Sequence, residues 1–98
     1  MTKECKLIVA CENGNLSEVH QLVESGADIH VDNDKALRWA SRKGHLEVVK
    51  YLVECGADIH AEDESALRLA SEYGHLEVVD YFKTVIRKRK MDNVLGII

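Results

Sequence analysis

Proline is absent from the 98 residues, so nothing breaks a helix by removing a backbone donor, and no Pro-rich linker divides the chain. Apolar runs are only a few residues long, far short of the roughly 20 that a membrane-spanning helix needs. The opening stretch, Met1-Thr2-Lys3-Glu4-Cys5-Lys6, lacks the long apolar core of a secretory signal. Three cysteines, Cys5, Cys11 and Cys55, cannot all pair within one chain and show no C-x-x-C spacing. The pattern therefore offers neither a disulfide framework nor a zinc site and reads as free thiols in a reducing compartment. No G-x-G-x-x-G, P-loop, H-E-x-x-H or G-x-S-x-G occurs, so neither catalysis nor a cofactor is expected. A net charge of −4 argues against general nucleic-acid binding.

What the chain does contain is itself, repeated. Ala36-Leu37-Arg38-Trp39-Ala40-Ser41 and Gly44-His45-Leu46-Glu47-Val48-Val49 return thirty residues later as Ala66-Leu67-Arg68-Leu69-Ala70-Ser71 and Gly74-His75-Leu76-Glu77-Val78-Val79. A fainter copy precedes them at Leu7, Ala10, Gly14, Leu16 and Val19. Gly26-Ala27-Asp28-Ile29-His30 also recurs intact as Gly56-Ala57-Asp58-Ile59-His60. A fixed period in this range means stacked supersecondary units, each too small to bury its own apolar face. The expectation is one domain spanning 1–98, with units near 1–30, 31–60 and 61–90 and an apolar tail, 91–98.

Within the middle unit, Ala36, Leu37 and Ala40 share one helical face, and Gly44 permits the left-handed backbone that ends a short helix. A second apolar stripe runs through Leu46, Val49, Leu52 and Val53, with Glu47 in the first turn, where the helix dipole favours an anion. Gly56 stops this helix, and the polar stretch 57–64 reads as an extended loop or hairpin finger with Ile59 tucked inward. The predicted unit is helix, tight turn, helix, finger, and the fold is all-α. None of these helices is long enough to stand alone, so stacking must hold them.

The outer units differ from the inner pattern. Ile86 takes the place of Gly56, and Lys83 that of Val53, which predicts a last helix running through Arg87-Lys88-Arg89-Lys90. Glu18 replaces Val48 and Gln21 replaces Tyr51. Polar outer faces suit terminal caps, so the array is expected to be complete. The small residue Cys11 aligns with Ser41 and Ser71 and reads as packing.

The run Ala-x-x-Gly-His-Leu-Glu-Val-Val-x-x-Leu-Val-x-x-Gly-Ala-Asp-Ile resembles the ankyrin repeat up to about Lys83. That family repeats about every 33 residues, so the missing residues fall between His30 and Ala36 and between His60 and Ala66, predicting short fingers. The family's Thr-Pro-Leu-His reads Lys35-Ala36-Leu37-Arg38 and Ser65-Ala66-Leu67-Arg68, so its threonine and histidine bonds cannot form in the same way. The shortened form is similar to ankyrin proteins of large amoeba-infecting DNA viruses. The resemblance implies an intracellular protein-binding scaffold with a concave surface made by finger tips and first helices. Carried onto this chain, the finger positions are Asp32, Asn33, Asp34 and Lys35, then Glu62, Asp63, Glu64 and Ser65. The first-helix positions are Arg38, Arg42 and Lys43, then Arg68, Glu72 and Tyr73, with Glu12 and Asn13 continuing the row. An acidic rim beside a basic strip suits a partner carrying both signs of charge. The plainer reading is that these charges keep a small array soluble.

Other features have competing readings. Arg87–Lys90 is a nuclear-import or nucleic-acid patch, or a set of cations favoured at a helix C-terminus, the second being preferred. Val94–Ile98 offers a route to self-association. His45 and His75, and likewise His30 and His60, are offset by a whole unit, so they should not converge on a metal; the ankyrin resemblance implies that His45 and His75 brace the turn into the second helix. Trp39 aligns with the apolar Val9 and Leu69 and is expected to pack between first helices, with an exposed anchor for a partner as the alternative.

Overall fold

Two kinds of helix alternate along the chain. The structure, a computed structural model, describes residues 2–97 and the side chains of residues 2–90. The first helices are α1 (Lys3–Asn13), α3 (Val31–Lys43) and α5 (Ala61–Glu72); the second helices are α2 (Leu16–Glu24), α4 (Leu46–Glu54) and α6 (Leu76–Ile97). No strand occurs among the described residues. α1, α3 and α5 stack in one layer, α2, α4 and α6 in another, and each second helix packs on the first helix of its own unit. The resulting body measures 47 × 29 × 22 Å. This is the three-unit all-α solenoid that the repeat predicts.

Small residues make the stack possible. Ala10, Ala36, Ala40, Ser41, Ala66 and Ala70 are buried where first helices meet, while Leu7, Leu37, Leu52 and Phe82 fill the space between layers. Each such large side chain contributes about 1.5–3 kcal/mol when fully buried. The apolar stripe is one position wider than expected, because Val48 and Val78 are also buried. Their first-unit counterpart Glu18 is exposed, as an outer face requires. Cys11 is fully buried, and burial pushes its thiol up to about 12, so it stays protonated and inert at neutral pH.

Histidines brace the turns between layers. Gly14 and Gly44 end α1 and α3 with φ of 73° and 76°. The rings of His45 and His75 lie over these glycines, so a Cβ at Gly14 would sit 2.5 Å from His45 Nδ1, and one at Gly44 would run into His75. His45 Nε2 donates to the Glu12 carbonyl at 2.9 Å, tying the second unit to the first.

The finger segments are short, as predicted, but their course differs. In place of an extended hairpin, turns through residues 55–60 lead into a left-handed helical turn. Asp32, Asn33 and Asp34 have φ of 54°, 56° and 58°, and Glu62, Asp63 and Glu64 have 55°, 54° and 62°. Consecutive non-glycine residues in this region cost about 1–2 kcal/mol each, less for Asn and Asp. Three contacts offset that cost. Asp34 and Glu64 N–H donate to the carbonyls of His30 and His60, both at 3.2 Å. Arg38 donates from Nε to the Asn33 carbonyl (3.1 Å) and from Nη2 to that of Asp32 (2.8 Å). Arg68 repeats the fork on Asp63 and Glu62, both at 3.0 Å. The arginine of Ala-Leu-Arg thus supplies an anchor for the shortened loop, because guanidinium has enough donors to serve two carbonyls at once.

The last helix runs on past Lys90, with Ile86 half-buried and Lys83 exposed, as the loss of the glycine stop predicts. The preferred reading of Arg87–Lys90 as cations at a helix end does not hold. α6 continues to Ile97, about two turns further, and the macrodipole acts only within the last turn. The side chains of the tail, where self-association through Val94–Ile98 was placed, lie outside the described residues.

Candidate functional site

Between α3 and α5 lies a groove of about 470 Å³, lined by Asp32, Lys35, Arg38, Trp39, Arg42, Ser65 and Leu69. Spacing puts Lys35, Arg38, Trp39 and Arg42 on one face of α3, since residues three and four apart are neighbours on a helix. The Trp39 ring is the centre of this face. Arg42 Cζ lies 4.7 Å from its centroid and Lys35 Nζ 5.9 Å, both within cation–π range. Arg42 Cζ also lies 5.0 Å from the centroid of Tyr73, which follows α5 and is half-exposed. The guanidinium therefore joins an aromatic ring from the middle unit to one from the next. Trp39 is half-buried rather than wholly packed between first helices, so one part of it anchors the stack and the rest faces the groove.

The acidic turn residues occupy other places. Asp34 is not on an exposed rim: it is 4% exposed, its carboxylate 3.0 Å from His30 Nδ1 and accepting the Asp58 N–H at 2.7 Å. The physical reason is the left-handed turn, which rolls the Asp34 side chain inward onto the next loop. Glu4 does the same one unit earlier, accepting the Asp28 N–H at 3.0 Å. Glu62 Oε1 accepts from Asn33 Nδ2 at 2.7 Å, and Glu64 lies 3.1 Å from His60 Nδ1. Asp32 and Asp63 are exposed, as are Lys43, Arg68 and Glu72, while Lys35, Arg38 and Arg42 are half-buried. Further along the row Glu12 is half-buried and Asn13 exposed.

A second hollow, of about 580 Å³, lies at the turn tips between His30, Asp58, His60 and Asp63. Among the described residues no group of three His, Cys, Asp or Glu side chains has the arrangement to hold a metal ion. Each of His30 and His60 faces the carboxylate four residues on. Arg87, Lys88, Arg89 and Lys90 are all exposed, and four consecutive positions on a helix spread around it rather than forming one stripe.

The repeat is diagnostic. A family model of ankyrin repeats in three copies matches residues 7–92. The chain belongs to the ankyrin-repeat family. No curated protein matches it at a significant level. Ankyrin repeats are generally protein–protein interaction modules, and none of the helices described is long and apolar enough to cross a membrane. Within this ankyrin domain, Leu69 and Ser65 line the groove opposite Trp39, and sequence reasoning took Leu69 only as a packing counterpart of Trp39. The signal for the groove was the sole tryptophan standing among Lys35, Arg38 and Arg42 on one helix.

Proposed function

We propose that this ankyrin domain is a protein-binding scaffold that grips a segment of another protein in the groove between α3 and α5. The observation that carries the reading is the Trp39–Arg42–Tyr73 stack, an aromatic and cationic surface held in place before any partner arrives. Preorganised side chains lose little entropy on binding, and Trp, Tyr and Arg are the residues that most often dominate interfaces. The binding surface extends from Asp32, Asn33 and Lys35 along Arg38, Arg42 and Lys43 to Glu62, Asp63, Glu64, Arg68, Glu72 and Tyr73. The module binds and does not catalyse. The short repeat supports the narrower likeness to ankyrin proteins of amoeba-infecting viruses, and with it an intracellular place of action in a host cell.

The test is affinity capture from cell lysate with the parent and with a variant carrying Trp39→Leu and Arg42→Glu. Both substitutions copy residues that the third unit carries in the same register, Leu69 and Glu72, so the fold tolerates them. A partner held by the parent and lost by the variant supports the reading. A partner held equally by both removes function from this groove. A second reading, a nuclear or nucleic-acid-associated factor, is favoured by the exposed Arg87–Lys90 run on α6. Salt-dependent duplex binding that disappears with Arg87→Gln and Lys88→Gln is its signature.

A further inference from the structure

We infer that the segment gripped by the α3–α5 groove is acidic, a stretch with several Asp or Glu carboxylates beside an aromatic or apolar residue; this rests on the scaffold reading above. Lys35, Arg38, Arg42 and Lys43 all lie on α3, and among the described residues none of them has a carboxylate within 4.0 Å. Three of the nearby acids are engaged elsewhere, Asp34 with His30 and the Asp58 N–H, Glu62 with Asn33, and Glu64 with His60.

This cation concentration belongs to one unit. The same positions read Cys5, Ile8, Glu12 and Asn13 in the first unit, and Ser65, Arg68, Glu72 and Tyr73 in the third. Arg38 has its counterpart in Arg68 and both anchor their turns, whereas the cations at Lys35, Arg42 and Lys43 have none in the other units, so the scaffold does not require those three. Solubility does not require them either, since the chain already carries a net charge of −4, which they reduce. Helix-dipole stabilisation accounts for Arg42 and Lys43 in the last turn of α3 but not for Lys35, which stands at the opposite end, where a cation is unfavourable.

The stacking also fixes what Arg42 can bind. With aromatic rings close to its guanidinium, the in-plane N–H groups remain to meet an acceptor, and a carboxylate matches that fork with two parallel bonds. Asp32 is the one carboxylate lining the groove and stands at its turn end. It directs the acidic positions of the bound segment toward Arg42 and Lys43, and Trp39 and Leu69 receive the apolar neighbour.

The probe is a library of random short peptides displayed on phage, selected on the intact protein. Enriched sequences should carry an excess of Asp and Glu with an aromatic or apolar neighbour. A synthetic copy should shift the emission of Trp39, the only tryptophan, and should bind about tenfold more weakly for each of Lys35→Ser and Arg42→Glu, substitutions copied from the third unit. Enrichment of basic or charge-neutral peptides overturns the inference. If such peptides still shift Trp39 emission, the groove reading survives without its acidic partner. Acidic peptides that leave Trp39 and both variants unaffected sink the two together, and so does capture of a partner that ignores the groove variant. A selection giving no enrichment over the doubly substituted protein also overturns the acidic assignment.

Discussion

Asp63 lies inside a segment assigned to α5, yet replacing it with glycine should stabilise the protein. In a right-handed helix the opposite holds, because glycine costs roughly 0.5–1 kcal/mol relative to alanine. Asp63 has a φ of 54°, between neighbours at 55° and 62°, which is left-handed backbone. Its side chain is exposed and makes no hydrogen bond among the described residues, while its carbonyl accepts from Arg68. Glycine and alanine substitutions therefore leave the same contacts and differ only in backbone preference. Left-handed geometry costs an L-residue about 1–2 kcal/mol, and glycine pays part of that difference back through the greater freedom of its unfolded chain. Asp63→Gly should gain about 0.5–1 kcal/mol and Asp63→Ala should lose a similar amount. For a domain of 98 residues, each kcal/mol moves Tm by about 4–8 °C. Thermal unfolding followed by circular dichroism should rank glycine above the parent and the parent above alanine. An alanine variant as stable as the glycine variant would refute the left-handed turn.

Other expectations follow from the same geometry. Gly44→Ala and Gly74→Ala share nearly the same φ, 76° and 77°, but only the first Cβ meets a histidine ring. Chemical denaturation should show Gly44→Ala to be the more damaging by about 1–3 kcal/mol, and equal losses would mean that His75 contributes nothing to the turn. In the native protein a thiol reagent should label Cys5 and Cys55, both exposed, and reach Cys11 only after unfolding; rapid native labelling of Cys11 would contradict its burial. The hydrogen bond to Asp34 raises the His30 pKa, burial opposes it, and the charges of Asp34, Asp28 and Asp58 add to it. The fold then binds this proton more tightly than the unfolded chain does. Its contribution is complete below about pH 6.5 and fades as pH rises through the raised value. His30→Gln should remove that slope, by no more than about 1 kcal/mol because the ring is half-exposed, and an unchanged pH profile would count against it.

The scaffold was legible because its signals are local. Glycine at positions 14 and 44, alanine on the first helices and the Leu-x-x-Val-x-x-Leu spacing each report a backbone or packing need that any neighbouring unit shares. The absence of a glycine at position 86 likewise predicted the long α6. Two features escaped. Three acidic or amide residues in a row suggest a polar loop, and nothing in their identity shows that they coil left-handed; that follows from Arg38 and Arg68 folding back on their carbonyls. Asp34 then passes from rim to interior for the same reason. The groove was only half legible. Its cations could be named by carrying the ankyrin resemblance onto this chain, but their meeting with Tyr73 and Leu69 depends on how the third unit stacks on the second.

The central claim is that partners are held between α3 and α5. Hydrogen exchange of the protein alone and bound to its captured partner tests it directly. The account predicts new protection over 31–43 and 61–73, with little change in α2, α4 and the distal half of α6. Protection confined to 84–97, with the first helices unchanged, would contradict it.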